Sequence, residues 1–151
     1  MKKMDKIKQA VSCFNEGFSC SQAIFSTYGQ KLGISRKTAL KVSGAFGGGM
    51  ARMAETCGAV TGAFMVIGLK YGKAKANDEK AKDKTYSLVK EFVSRFKARN
   101  NSIVCKELLG CDINTAEGMK IFQDKKLITT LCPKFVQDAA EIIEEILSDN
   151  K

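Results

Sequence analysis

The sequence contains no histidine, and this absence excludes much of the chemistry that cysteine-containing proteins use. Without imidazole there is no Cys–His or Ser–His nucleophilic pair. There is likewise no Cys-x-x-Cys-His haem attachment and no zinc site with a histidine ligand. We therefore expect no haem, and any bound metal must be held by thiolates, carboxylates or backbone groups.

Tryptophan is also absent, and Pro133 is the single proline. A low proline content together with many Ala, Lys, Leu and Glu residues favours helices. The sequence has no convincing strand alternation, no internal repeat and no break between domains. It therefore predicts an all-α fold, in which residues 1–151 form a single-domain helical bundle of about seven or eight helices.

Long apolar segments are missing as well. The N-terminal residues 1–7 are too polar for a signal peptide, and the longest apolar run, residues 59–69, is too short to span a bilayer. We therefore expect a cytoplasmic protein that does not span a membrane. In a reducing compartment, six cysteines are more typical of metal binding or redox chemistry than of a disulfide framework.

The formal net charge is +9, but the basic residues are spread over the whole chain. The densest run, residues 73–84, is interleaved with Asp78, Glu79 and Asp83. This pattern is typical of a solvated surface, so we expect no nucleic-acid partner. A lysine-rich surface could instead dock an acidic redox partner protein. A homodimer formed through an apolar helix face is a further alternative.

Apolar periodicity and capping residues predict where the helices lie. Ser19 followed by Gln22 forms a capping box, and Ser35 is a further N-cap. The predicted helices cover residues 4–16, 20–32, 36–45, 57–71, 84–99 and 103–109, with two more that open near residues 114 and 132. The helix over residues 57–71 is apolar almost all round, so we expect it to be central and buried.

Four of the cysteines, Cys20, Cys57, Cys105 and Cys132, fall in or at the first turn of a predicted helix. We call them the helix-start cysteines. A helix N-terminus lowers the pKa of a thiol, and the thiolate is both a nucleophile and a metal ligand. If the four thiols converge, they could bind an iron–sulfur cluster or another metal. In pairs they could be catalytic and form reversible disulfides. Alternatively they are inert and pack as small hydrophobic side chains in a binding module.

Glycines surround the second helix-start cysteine. Gly47, Gly48 and Gly49 form a triplet that can adopt positive φ and bring its backbone N–H groups close to a cofactor. The alternative is a hinge between two helices. Gly58 and Gly62 lie four residues apart on one helix face, which permits close approach of a cofactor or of another helix.

The motifs occur in the order of a known family. They are Ser19-Cys20-Ser-Gln22, Phe46-Gly-Gly-Gly49, Cys57-Gly-Ala-Val-Thr-Gly62, Cys105-x-x-Leu-x-Gly110 and Cys132-Pro133. This order resembles the C_GCAxxG_C_C family of redox-active proteins over about residues 17–146. The resemblance implies an oxidoreductase or electron-transfer protein in which the helix-start cysteines are functional. Cys13 and Cys111 lie outside the motifs and have no assigned role.

Overall fold

The computed structural model describes residues 3–151, with side chains from residue 5 onward, and all of its regular secondary-structure elements are helices. No strand occurs in this part of the chain, so the all-α prediction is confirmed. A 3-10 helix, Gly44–Phe46, follows the third α-helix. The α-helices are α1 (Lys3–Asn15), α2 (Cys20–Lys31), α3 (Arg36–Ser43), α4 (Gly58–Tyr71), α5 (Glu79–Asn100), α6 (Cys105–Leu109), α7 (Ala116–Asp124), α8 (Leu127–Thr130) and α9 (Cys132–Asp149).

Helix α4 lies in the interior, as its apolar composition predicts, and it packs closely against α2. Two glycines permit this approach. A Cβ atom on Gly62 would lie 2.9 Å from the carbonyl oxygen of Ser21, and one on Gly58 would lie 3.0 Å from the Ser21 backbone nitrogen. Such distances are too short for real atoms, so a larger residue at either position would push the helices apart.

Aromatic side chains join α4, α5 and α9. The rings of Phe92 and Phe96 stack with their centroids 5.9 Å apart, and Phe64 meets Phe92 edge-on at 6.2 Å. Phe96 also contacts Phe135, with a centroid distance of 6.4 Å. Phe135 lies one turn from the beginning of α9. The aromatic column therefore anchors the helix end that carries Cys132.

Two predicted helix caps are confirmed. The Ser19 N–H donates to Gln22 Oε1 at 3.0 Å, and the Gln22 N–H donates back to Ser19 Oγ at 3.4 Å. The Thr38 N–H donates to Ser35 Oγ at 3.2 Å. Each bond satisfies an N–H group that the helix leaves unpaired. The first of these caps fixes the place where Cys20 enters α2.

Three predicted helix starts need correction. Cys57 is the N-cap of α4, and the helix begins one residue later than predicted. Cys105 is the first residue of α6 and does not occupy its third position. Pro133, a residue favoured at the first helical position, predicts Cys132 as the N-cap of the last helix, but Cys132 is the first residue of α9 and Leu131 is the N-cap. All three cysteines remain within one turn of a helix start, so the general placement holds.

Helix α5 begins earlier than its apolar periodicity predicts. The Ala81 N–H donates to the Asp78 carboxylate at 3.1 Å, which caps the helix in front of Glu79. The polar residues that follow form an exposed part of the helix. Because most of them are charged, apolar residues at helical spacing do not mark this part of α5 in the sequence. The sequence pattern also does not predict the four-residue α8. Among helices in the described residues, none combines the length and apolar character that crossing a bilayer requires.

Candidate thiol site

The helix-start cysteines line one cavity of about 720 Å³. Each of the four comes from a different helix start: α2, α4, α6 and α9. The same cavity is lined by the glycine triplet. Sequence-distant thiols are therefore brought to one place because the N-terminal ends of four helices meet there. We call this cavity the thiol cavity.

A short backbone pairing brings Cys57 close to Cys105. Thr56 and Val104 form an isolated antiparallel bridge. On its two sides the Cys57 N–H donates to the Ile103 carbonyl at 2.8 Å, and the Cys105 N–H donates to the Glu55 carbonyl. The hydrogen bond to Ile103 holds the Cys57 backbone outside helical geometry, at φ −54° and ψ 137°, which explains why α4 begins after it. The bridge also places two helix starts side by side.

Among the helix-start cysteines, Cys57 is the one whose pKa is lowered. A hydrogen bond from Cys20 and the first-turn amides of Ala59 and Val60 lower the pKa of Cys57, against the opposing effect of burial. The pKa of Cys20 is raised, because it donates to Cys57, is buried and lies near the other thiols. Cys57 is thus the preferred thiolate of the pair, and Cys20 is its hydrogen-bond donor.

The other two helix-start cysteines do not follow the expectation of a lowered pKa. Burial, followed by the negative charge of Cys57, raises the pKa of Cys105 to about 12 and that of Cys132 to about 12. The prediction that a helix start lowers the pKa is therefore wrong for these two thiols and for Cys20. Their positions do lie at helix starts, but burial outweighs the helix dipole.

The loop after the glycine triplet has an unusual backbone. Gly48 and Gly49 have φ of 67° and 68°, and Met50, Ala51 and Arg52 continue in the left-handed region with φ between 52° and 66°. For residues with a Cβ this conformation costs roughly 1–2 kcal/mol each. Such strain persists only where surrounding contacts enforce it. Nothing in the residue types of this loop predicts the left-handed run beyond the glycines.

Backbone hydrogen bonds close this loop upon itself. The Arg52 N–H donates to the Gly47 carbonyl at 3.1 Å, and the Glu55 N–H donates to the Gly49 carbonyl at 2.9 Å. A Cβ atom on Gly49 would lie 2.7 Å from Cβ of Cys105. The loop therefore presses directly on a cavity cysteine, and only glycine fits at this point.

The remaining glycines lie at two different places. A Cβ atom on Gly47 would lie 2.6 Å from Cβ of Ser19, and one on Gly58 would lie 3.2 Å from Cβ of Cys20. Both residues line the thiol cavity. Gly62 lies one turn further along α4, against α2. Close packing accounts for Gly62 without a cofactor.

Much of the cavity wall is apolar and has no part in the cysteine motifs. Helices α7 and α8 contribute side chains but no cysteine, and Arg52 is the charged side chain among the lining residues. The apolar lining side chains are Phe14, Phe18, Leu108, Leu109, Ile113, Met119, Phe122, Ile128 and Phe135. Apolar spacing marks Met119 and Phe122 as one helix face, but spacing alone does not indicate that this face borders a cavity.

The two cysteines outside the motifs have different surroundings. Cys111 is buried in a small core with Cys105, Ile113 and Leu127, and its charge contributes to the raised pKa of Cys105. Cys13 is remote from that core, with its Sγ 3.7 Å from Ser26 Oγ. Cys111 is therefore a fifth thiol near the site, whereas Cys13 packs beside α2.

The donor chemistry of the cavity suits a soft metal centre. Thiolates are the ligands of iron–sulfur clusters and of many zinc sites, and all six cysteines are free in this structure. Within the residues whose side chains are described, no three Cys, Asp or Glu groups are arranged to hold a metal ion. The four thiols surround a space, and they do not meet at a point.

Comparisons with known proteins point to one family. A family model described as "Putative redox-active protein (C_GCAxxG_C_C)" matches residues 18–146, a span that contains all four helix-start cysteines. Comparison with curated proteins and with solved structures gave no match.

Proposed function

The chain belongs to the C_GCAxxG_C_C family, and we propose that it is an electron-transfer protein whose helix-start cysteines hold an iron–sulfur cluster. The observation that carries this proposal is the meeting of four thiols, from four separate helices, in one cavity. Cys20, Cys57, Cys105 and Cys132 would be the ligands. The cluster would supply one-electron chemistry that thiols alone do not provide.

The cavity that the four thiols line supports a cluster over a single ion. A zinc ion requires four sulfur atoms at about 2.3 Å from one point. No such arrangement is present among the described side chains. A cluster of several atoms holds its thiolates further apart, around its own volume. The glycines at positions 49 and 58 keep Cβ atoms away from Cys105 and Cys20, which leaves room at the ligands.

Proton release would accompany loading of the site. Cys57 has a lowered pKa and is the first thiolate available to a metal. Cys105 and Cys132 have pKa values of about 12 and must each lose a proton when they bind a cation. Metal affinity should therefore rise as pH increases through the neutral range.

A second function is supported by the pairing of Cys57, whose pKa is lowered, with Cys20, which stabilises its thiolate and lines the same cavity. In a metal-free protein, the Cys57 thiolate would attack a substrate disulfide and release one of its sulfurs as a thiolate. Cys20, after losing its proton, would attack the mixed disulfide and release the second substrate thiolate. The substrate disulfide is thereby reduced by two electrons, and Cys20 and Cys57 become the new disulfide.

A basic surface beside the cavity supports an acidic redox partner. Lys125 and Lys126 are exposed and lie between the lining residues Gln123 and Ile128. Arg52 is exposed at another part of the lining. A partner docked on these charges would approach the thiols, and the complex should weaken as salt rises.

The first test is metal and sulfide analysis of protein purified without oxygen, together with its visible absorption spectrum. We expect iron and sulfide in near-integer ratio to protein, with charge-transfer bands. Cys57→Ser should lose both, because it removes a ligand. Cys13→Ser is the matched control and should retain them, because Cys13 lies apart from the cavity.

Two outcomes would contradict the cluster. A colourless, iron-free protein whose Cys57 is alkylated quickly at neutral pH would favour the disulfide mechanism. Thiols that stay unreactive until the protein unfolds would favour a binding module with inert cysteines.

A further inference from the structure

The thiol cavity is larger than a cluster site needs. Its volume of about 720 Å³ lies within the range of roughly 300–1,000 Å³ that is typical of pockets for small organic molecules. The helix-start cysteines belong to α2, α4, α6 and α9, whereas one wall is built by α7 and α8. That wall is free of cysteine, so the metal proposal does not account for it.

The α7–α8 wall is apolar and partly exposed to solvent. Met119 and Phe122 line it from α7, and Ile128 lines it from α8. Ile128 is 51% exposed, which is high for a branched apolar side chain. A ligand that covered these groups would remove apolar surface from water and gain roughly 25 cal/mol per Å² buried.

Arg52 adds one positive charge to this lining. Its stem packs over the glycine triplet, since a Cβ atom on Gly48 would lie 2.9 Å from Cγ of Arg52. Among the residues with described side chains, Arg52 has no salt-bridge partner. The guanidinium is thus held at the cavity by the strained loop and is available to an anionic group.

We propose that the thiol cavity binds a small organic anion, with an aromatic or branched apolar body against Met119, Phe122 and Ile128 and its anionic group at Arg52. The role of this ligand rests on the proposed function, because the ligand would lie beside the proposed redox centre. Binding itself depends on the α7–α8 wall and on Arg52. It therefore does not require a metal.

The test uses two dyes that share one apolar framework. Anilinonaphthalenesulfonate carries a sulfonate, and N-phenylnaphthylamine is its neutral counterpart. Fluorescence titration of the full-length reduced protein should show one saturable site for each dye. Ile128→Glu should weaken both dyes by about tenfold, because it places a charge against the apolar body. Arg52→Gln should weaken the sulfonate several-fold and leave the neutral dye unchanged.

Val42→Glu is the matched control, because Val42 is 52% exposed, also branched, and outside the cavity lining. It should leave both affinities unchanged. Met119→Trp, which fills the cavity, is a second variant and should also weaken both dyes. Circular dichroism confirms that each variant is folded.

Three results would overturn the inference: no saturable binding, equal losses in Ile128→Glu and Val42→Glu, or an Arg52→Gln effect that is the same for both dyes. Iron and sulfide content is measured on the same samples. If iron-free protein binds the dyes, the ligand site is supported and the cluster proposal fails. If the protein contains iron and sulfide but binds no dye, the cluster is supported and the ligand site fails.

Discussion

Two pairs of cysteines share the thiol cavity and differ in their chemistry. Cys57 has a lowered pKa, because Cys20 and the first-turn amides of Ala59 and Val60 stabilise its thiolate, whereas the pKa of Cys20 is raised. Cys105 and Cys132 also lie at helix starts, yet burial raises the pKa of each to about 12. A helix N-terminus is therefore insufficient to activate a thiol. A donor thiol and correctly placed amides decide the outcome, and these come from tertiary structure.

The largest expected difference between the pairs is in alkylation rate. In metal-free protein, Cys57 should react with iodoacetamide at least about a hundredfold faster than Cys105 or Cys132 at neutral pH, because only thiolates react and their fractions differ steeply with pKa. The rate at Cys105 and Cys132 should still be rising at pH 10. Mass spectrometry of timed digests measures all three. Equal rates at neutral pH would contradict the assigned pKa directions.

The second prediction concerns the loop that presses on Cys105. Gly49→Ala should destabilise the protein by roughly 2–4 kcal/mol, because left-handed backbone strain is added to Cβ contacts of 2.6 Å with the Glu55 backbone nitrogen and 2.7 Å with Cβ of Cys105. Gly110→Ala is a matched control with nearly the same φ, 72° against 68°, and no atom within 4 Å of the added Cβ. It should cost about 1–2 kcal/mol. Urea denaturation measures both. Equal losses would show that the loop does not press on Cys105.

The smallest predicted effect is on the thiolate of Cys57 when its neighbour Cys20 is replaced. Cys20→Ala removes the donor to Cys57, so the pKa of Cys57 should rise and its alkylation at neutral pH should slow by about tenfold. Cys20→Ser keeps a donor hydroxyl and should slow the reaction less. If both variants react like the unmodified protein, the hydrogen bond from Cys20 does not control the Cys57 thiolate.

Local sequence signals were sufficient for most of the helices and for placing four cysteines at helix starts. Ser19, Gln22 and Ser35 act as predicted because a cap depends on residues within one turn. The helix-start cysteines share a cavity because each lies at the N-terminal end of a helix, and the four N-terminal ends meet there. The apolar composition of α4 likewise predicts its burial.

Features that depend on contacts between distant segments could not be predicted. The Thr56–Val104 bridge joins residues far apart in sequence, and it moves the start of α4 by one residue. The left-handed conformation of Met50 to Arg52 opposes the local preference of these residues. The raised pKa of Cys105 follows from burial, which sequence does not specify. The α7–α8 wall of the cavity could not be predicted either, because it too depends on contacts between segments that are distant in sequence.

In the proposed metal centre, four thiols from four helices hold one iron–sulfur cluster. The most direct measurement is X-ray absorption at the iron edge on protein purified without oxygen. Because the lining residues of the cavity include four thiols but no carboxylate and no imidazole, we predict a first coordination shell made entirely of sulfur, with a second shell of iron neighbours. A shell of oxygen or nitrogen atoms would contradict the claim. So would an iron content near zero in protein that is folded and fully reduced.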